Sequence, residues 1–328
     1  MPIHRRPLLQ AAAAAALAVL AAPLALAQPT PNGPVQDGGW QDASRGRTVP
    51  WRLRLPAGPA PWPWVIYSHG LGGSRDGGAV WGQAWADAGV AVLHLQHPGS
   101  DSNTLRAGLG ALRAAASAEQ LMARVLDVRF VLDEVTRLAA AGATPWAGLT
   151  PDAVGVAGHS FGAHTTQALA GQRYGVASDW AEPRLKAFIA LSPSSPRAGG
   201  PGLQEAFGGI RRPFLAVTGS LDGDPFGSYE RGDLRAAVYD GLPPGQRALL
   251  WLQGADHLSF AGGAGRWSPA SGPFRRHGTA AQQEPAHQAL VARITTLWWR
   301  ARLQGDAQAL AALRAPLGLG EGDRFELG

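Results

Sequence analysis

"VGVAGHSFGAH", residues 154–164, is the stretch that decides the fold. Val154 to Ala157 is a short apolar run. It gives way to Gly158, and Ser160 then stands between Gly158 and Gly162. The sequence continues as "AHTTQALA", rich in helix-forming alanine. An apolar run, a glycine-flanked serine and a helix former, in that order, read as strand, tight turn and helix. With 44 Gly in 328 residues, chance supplies a bare Gly-x-Ser-x-Gly about 0.3 times per chain. The remainder of the sequence must therefore carry the reading.

Further apolar runs recur on both sides of this one. They are "WVIYSHG" (64–70), "VAVLHLQ" (90–96), "KAFIALS" (186–192), "PFLAVTGS" (213–220) and "ALLWLQGADH" (248–257). None alternates apolar with polar, as expected of strands covered on both faces. "TVPWRLRL" (48–55) does alternate, with Val49, Trp51, Leu53 and Leu55 on one face, and reads as a half-buried strand. Helical stretches lie between the runs. The clearest spans 117–142: Ser117 and Gln120 have capping-box spacing, and Gly142 ends it. Leu121, Val125, Val128, Leu132, Val135 and Leu138 form its apolar stripe. "ALVARITTLWWRARL" (289–303) is a second amphipathic helix, suited to docking. Strand–helix alternation predicts an α/β fold with a mostly parallel central sheet and helices on both faces. Right-handed crossovers bring the carboxyl ends of the strands to one edge, where such sheets bind ligands.

Polar, glycine-flanked groups stand at that edge four times: "HGLGGS" (69–74), "GHSFG" (158–162), "GSLDGD" (219–224) and "GADH" (254–257). Ser, then Asp, then His is the chain order of the α/β-hydrolase triad. The sequence resembles the α/β-hydrolase superfamily. Within it, "SHGLGGSRDG", "GHSFGAHT" and "DHLSF" are similar to the predicted dienelactone-hydrolase and platelet-activating-factor-acetylhydrolase-like esterases. The resemblance runs from about Thr48 to Leu303. It implies the α/β-hydrolase fold and an esterase that needs no cofactor. It departs from the acetylhydrolases at one point. Their acid directly follows the strand after the nucleophile, which here is "ALSPSSP" around Ser192, with no acid. The acid then comes from the next strand.

Chemistry assigns the roles. A serine hydroxyl needs an adjacent base, which His257 can supply for Ser160. His257 in turn needs a carboxylate to fix its tautomer. Asp222 stands three residues after Gly219, and Asp224 remains the alternative. Asp256, next to His257, reads as a turn cap. The N–H of Phe161, at the start of the helix after Ser160, is one donor for a developing oxyanion. The resemblance implies the N–H of Leu71 as the other. His69 and His159 are expected to tie loops by hydrogen bonds, while His94, His97 and His164 have no partner visible from sequence. "HPGSDS" (97–102) reads as a turn bordering the site.

The remaining sequence bounds the function. Residues 1–27 read as an export leader: Arg5 and Arg6 precede an Ala- and Leu-rich stretch ending in Ala25-Leu26-Ala27, loosely of twin-arginine type. Residues 28–47 read as a mobile mature N-terminus and 48–328 as one catalytic domain. The whole chain carries a net charge of +5; without Arg5 and Arg6 it is +3. No basic cluster interleaved with aromatics suggests nucleic acid. The absence of cysteine excludes a Cys nucleophile and thiolate metal sites, and the nine His show no paired ligand spacing. No metal is therefore expected. The expected activity is hydrolysis of a small, lipid-like or polymeric carboxylic ester in the periplasm or outside the cell. The alternatives are another acyl bond on the same triad, or a noncatalytic exported binding protein. The long loop 261–285, after His257, is a candidate substrate flap.

Overall fold

The computed structural model of the chain describes residues 33–175, 180–196, 199–223, 231–263, 278–315 and 317–328. The expected leader, Asp224 and most of the expected flap lie outside the described residues.

Nine strands form one sheet: β1 (Val35–Asp42), β2 (Arg47–Arg54), β3 (Trp62–Ser68), β4 (Ala91–Leu95), β5 (Leu149–His159), β6 (Ala187–Leu191), β7 (Phe214–Leu221), β8 (Arg247–Asp256) and β9 (Arg324–Leu327). Their spatial order is β1-β2-β4-β3-β5-β6-β7-β8-β9. The block from β4 to β8 is parallel throughout. β1, β2 and β9 add antiparallel pairs at the two edges. Ten helices are described: α1 (Ala79–Asp87), α2 (Ser102–Arg106), α3 (Leu109–Ala114), α4 (Ala118–Ala140), α5 (Phe161–Ala170), α6 (Leu203–Phe207), α7 (Gly232–Ala236), α8 (Val238–Gly241), α9 (Gly278–Leu303) and α10 (Ala307–Arg314). This is the α/β-hydrolase fold predicted from the strand–helix pattern.

Alternate residues of each central strand enter opposite layers, because strand side chains have a period of two. Trp64 and Ile66 of β3, Val154 and Val156 of β5, and Phe188 and Ala190 of β6 meet the apolar stripe of α4. Val65, Tyr67, Ala157, Ile189 and Leu191 face the other way, against α1 and α9. There Trp85 packs edge-on against Trp299, with ring centroids 5.7 Å apart. Burial on both faces explains why the central runs lack alternation.

Three expectations need correction. Val35–Asp42, within the segment expected to be a mobile N-terminus, is a strand paired with β2 along its whole length. Its side chains are mostly exposed, so hydrophobic periodicity does not betray it. Backbone pairing holds it, together with Trp40, which sits 5.1 Å from Trp51 and 4.9 Å from Trp146. The expected loop 261–285 ends early, because α9 already begins at Gly278 and carries Pro285 inside it. At the start of α4, Ser117 accepts from the Gln120 N–H, but the Gln120 side chain does not complete the box. Among the described residues no helix is long and apolar enough to cross a membrane.

Candidate active site

β5 ends at His159 and α5 begins at Phe161, leaving Ser160 alone on the turn. Its φ of 56° is in the left-handed region that an L-residue with a side chain rarely occupies. Such a conformation costs roughly 1–3 kcal/mol and persists only where the surroundings enforce it. Two glycines permit the turn. A Cβ on Gly158 would lie 2.2 Å from Gly162 O, and a Cβ on Gly162 would lie 1.9 Å from Ser68 O. α5 therefore packs directly onto the end of β3. Serine at a helix N-cap ordinarily caps with its hydroxyl. Ser160 does not, and its Oγ is turned elsewhere.

That Oγ lies 2.9 Å from His257 Nε2. His257 Nδ1 lies 2.8 Å from Asp222 Oδ1. The structure thus brings together the three residues singled out from the sequence. They come from the ends of β5, β7 and β8, on the carboxyl edge of the sheet. Ser160 is half-buried, His257 is nearly buried and Asp222 is fully buried. Thr218 Oγ1 donates to Asp222 Oδ2 at 2.8 Å. Arg235, on α7, donates to the Asp222 carbonyl at 2.9 Å and ion-pairs with Oδ1 at 3.1 Å. Burial alone would raise the Asp222 pKa. The charge of Arg235 and the hydrogen bonds of His257 and Thr218 outweigh it and hold the carboxyl at about 2. Asp222 is a carboxylate at neutral pH, so its partner His257 nitrogen, Nδ1, bears the proton. Nε2 is left to accept from Ser160.

His257 is fixed from its own backbone as well. His159 Nε2–H donates to the His257 carbonyl at 2.9 Å, and the two rings lie 4.8 Å apart. Burial, then the neighbouring His257, holds the His159 pKa at about 3. Asp256 caps the turn that carries His257 by accepting the Ser259 N–H at 3.0 Å, as its position suggested.

The glycine loop after β3 lies against the elbow: a Cβ on Gly70 would be 3.5 Å from Ser160 Cβ. The Gly72 N–H donates to Ser100 O at 2.9 Å and the Gly73 N–H to Gly70 O at 3.0 Å. Among the described residues the N–H groups of Leu71 and Phe161 donate to no protein acceptor. His69 Nδ1–H donates to Gly70 O at 2.6 Å, and its Nε2 accepts from the His97 N–H at 3.0 Å. His69 and His159 do tie loops, as expected.

A second Ser–His–Asp chain lies behind this loop. Ser68 Oγ is 3.0 Å from His97 Nε2, and His97 Nδ1 is 2.9 Å from Asp127 Oδ2. Its distances match those at Ser160, so distance does not separate the two. Burial does. Ser68, His97 and Asp127 are all wholly inaccessible, which leaves no room for a substrate carbonyl. Asp127 also binds Arg45 at 2.9 Å and Arg47 at 2.7 Å. The chain fastens the β1–β2 turn to the end of β3 through α4.

Several of these residues carry no signature that the sequence reading used. Arg124 and Asp127 sit in the buried phase of α4, among Leu121, Val125 and Val128. Charges inside an apolar stripe were the signal that would have found them. Arg235 lies on a helix of only five residues and gave none. His97 and His164, unpaired on sequence evidence, have partners here: Asp127 for His97, and Ser194 for His164. His94 Nδ1–H donates to Gly77 O at 3.0 Å. Ser192, where the acetylhydrolases carry their acid, has a φ of 56° and a buried Oγ that has no partner among the described residues. Its carbonyl accepts from Arg235 at 3.2 Å.

No family model matches this chain, and no curated protein matches it. Solved structures do. A 2,6-dihydroxy-pseudo-oxynicotine hydrolase aligns with a TM-score of 0.54 at 17% identity, covering 83% of this chain and 69% of that one. A ferulic acid esterase from Streptomyces cinnamoneus aligns with a TM-score of 0.56 at 19% identity, covering 85% of this chain and 93% of that one. At such identities the likeness is one of fold.

Proposed function

We propose that this chain is a serine hydrolase that cleaves carboxylic esters through an acyl-enzyme. The observation that carries the proposal is the unbroken hydrogen-bonded relay from Ser160 Oγ through His257 to the ionised Asp222, set on a strained elbow at the sheet edge. Ser160 Oγ attacks the ester carbonyl carbon as His257 Nε2 takes the hydroxyl proton. The carbonyl oxygen becomes an oxyanion, received by the otherwise uncommitted N–H groups of Leu71 and Phe161. The intermediate collapses, the C–O bond to the alcohol breaks, and His257 returns its proton to the leaving oxygen. Water then repeats the sequence on the acyl-Ser160 ester, giving the acid and free Ser160. Asp222 holds the ring and stabilises the imidazolium without itself being protonated.

Ester cleavage, among acyl transfers, is supported by the activity named for the S. cinnamoneus protein of the same fold. A panel of p-nitrophenyl esters from short to long acyl chains tests it. Turnover abolished in Ser160→Ala supports the reading. Turnover of amides or thioesters alone would move the chain to a neighbouring acyl-transfer class. No turnover of any acyl substrate would favour a binding protein. We also propose, on the pattern of residues 1–27, that the chain is exported to the periplasm or beyond. An exported product whose sequence begins at Gln28 supports this; full-length protein confined to the cytoplasm contradicts it.

A further inference from the structure

We propose that Arg124 is a positioning residue for the oxyanion site: from behind, it braces the carbonyl of the Gly70–Leu71 peptide and the ring of Phe161, the two residues Leu71 and Phe161 being those whose N–H would receive the substrate oxygen. The inference rests on the function proposed above. Arg124 lies in the second turn of α4 and is completely buried. Its Nη1 donates to His69 O at 2.6 Å, its Nε to Ser100 Oγ at 2.9 Å and its Nη2 to Ser100 O at 3.2 Å. Nη2 also approaches Gly70 O at 3.5 Å.

Gly70 O belongs to the Gly70–Leu71 peptide, whose N–H is the Leu71 donor. That carbonyl already accepts from His69 Nδ1 and the Gly73 N–H. Ser100 O, held by Arg124, is also the acceptor that pins the Gly72 N–H. Hydrogen bonds accepted at an amide carbonyl polarise the peptide and strengthen its N–H as a donor. On the opposite side, the guanidinium carbon lies 4.4 Å from the centroid of the Phe161 ring. Phe161 supplies the second donor. One side chain therefore braces both halves of the site.

A purely structural role is a poor account of this arrangement. Among the described residues Arg124 makes no ion pair; its acceptors are carbonyls and the hydroxyls of Ser100 and Ser68. The neighbouring Asp127 is bound to Arg45, Arg47 and His97 instead. Burying an unpaired cation is costly, and an apolar residue would continue the α4 stripe at no such cost. Burial lowers the guanidinium pKa to about 9, so it still carries its charge at neutral pH. A positive charge held in a dry setting behind the oxyanion donors favours the transition state, in which negative charge develops, over the ground state.

The test compares wild type, Arg124→Lys and Arg124→Met. Lysine keeps the charge but cannot span the same acceptors and stack on the ring. For folded variants, kcat on p-nitrophenyl acetate is expected to fall about 10- to 100-fold, with KM within about twofold. Affinity for a short alkyl trifluoromethyl ketone, which forms the tetrahedral adduct, is expected to fall in the same ratio. Folded variants with kcat within about twofold of wild type, or changed in KM alone, overturn the inference. If neither variant folds, Ser100→Ala decides, since it removes the Nε acceptor and leaves Arg124 and its carbonyl acceptors in place; the one other bond lost is that from Ser100 Oγ to His97 O at 3.3 Å. A several-fold fall in kcat at constant KM supports the inference, and an unchanged kcat overturns it. Failure of the underlying function is distinguishable, because it shows in the wild type as absence of turnover.

Discussion

Gly162→Ala separates the demands of the local sequence from those of the packed structure. Gly162 is the second residue of α5, where alanine is the better helix former by about 1 kcal/mol. Local propensity alone therefore predicts a more stable protein. The structure predicts the reverse. A Cβ on Gly162 would lie 1.9 Å from Ser68 O, 2.6 Å from Ser68 C and 2.9 Å from His69 O, all backbone atoms, whereas real Cβ contacts essentially never fall below 3.0 Å. The helix start or the end of β3 must move by about 1.1 Å to relieve the first of these contacts. Overpacking of this kind costs about 1–3 kcal/mol. After the propensity gain, a net loss of up to about 2 kcal/mol remains, or up to roughly 8 °C in Tm for a domain of this size. The same movement shifts Ser160 Oγ and the Phe161 N–H against His257. Misplacement by about 1 Å costs about 100-fold in rate. Thermal unfolding by circular dichroism and kcat on p-nitrophenyl acetate read the two effects. A variant with unchanged or higher Tm and full kcat would refute the reasoning.

Acid should unfold the protein unusually early. Burial, aided by nearby positive charge, holds His94 and His159 at about 3, His97 at about 4 and His69 well below 6.5. The unfolded chain takes up protons near pH 6.5 that the folded chain refuses, so this stability is complete above 6.5 and is lost as pH falls toward 3–4. At pH 5.5 His94, His97 and His159 each cost about 1.4 kcal/mol, about 4 together, a large part of the stability of a typical domain, and His69 acts in the same direction. Equal urea midpoints at pH 7.5 and 5.5 would contradict this; His94→Gln should flatten the dependence by about one proton. Asp222→Asn is expected to lower kcat about 10,000-fold at pH 7–8, because the amide favours the wrong His257 tautomer. A loss below tenfold in a folded variant would remove Asp222 from its assigned role.

The parts of the fold legible in sequence were those whose reasons are local. Val154 to Gly162 declares itself because both glycines answer a clash within or beside the same turn. The central strands declare themselves because burial on two faces removes alternation. β1 does not, since backbone pairing, one tryptophan and ion pairs from Asp37 and Asp42 hold it while most of its side chains remain exposed. The braces of the site were hidden for a different reason. Arg124, Asp127 and Arg235 acquire their meaning only when α4 and α7 are packed against the strand ends. Helix periodicity fixes which face is buried and says nothing of what that face meets. Even Ser68, His97 and Asp127, arranged at triad distances, are set apart from Ser160, His257 and Asp222 by burial in three dimensions and by the strained turn that Ser160 alone of the two serines occupies.

The central claim is that Ser160 is a nucleophile activated by His257. Labelling with a fluorophosphonate, followed by mass mapping of the modified peptide, tests it most directly. The account predicts one adduct, on Ser160, lost in both Ser160→Ala and His257→Gln, with Ser68 unmodified. An unlabelled but folded wild type, or an adduct on any other serine, would contradict it.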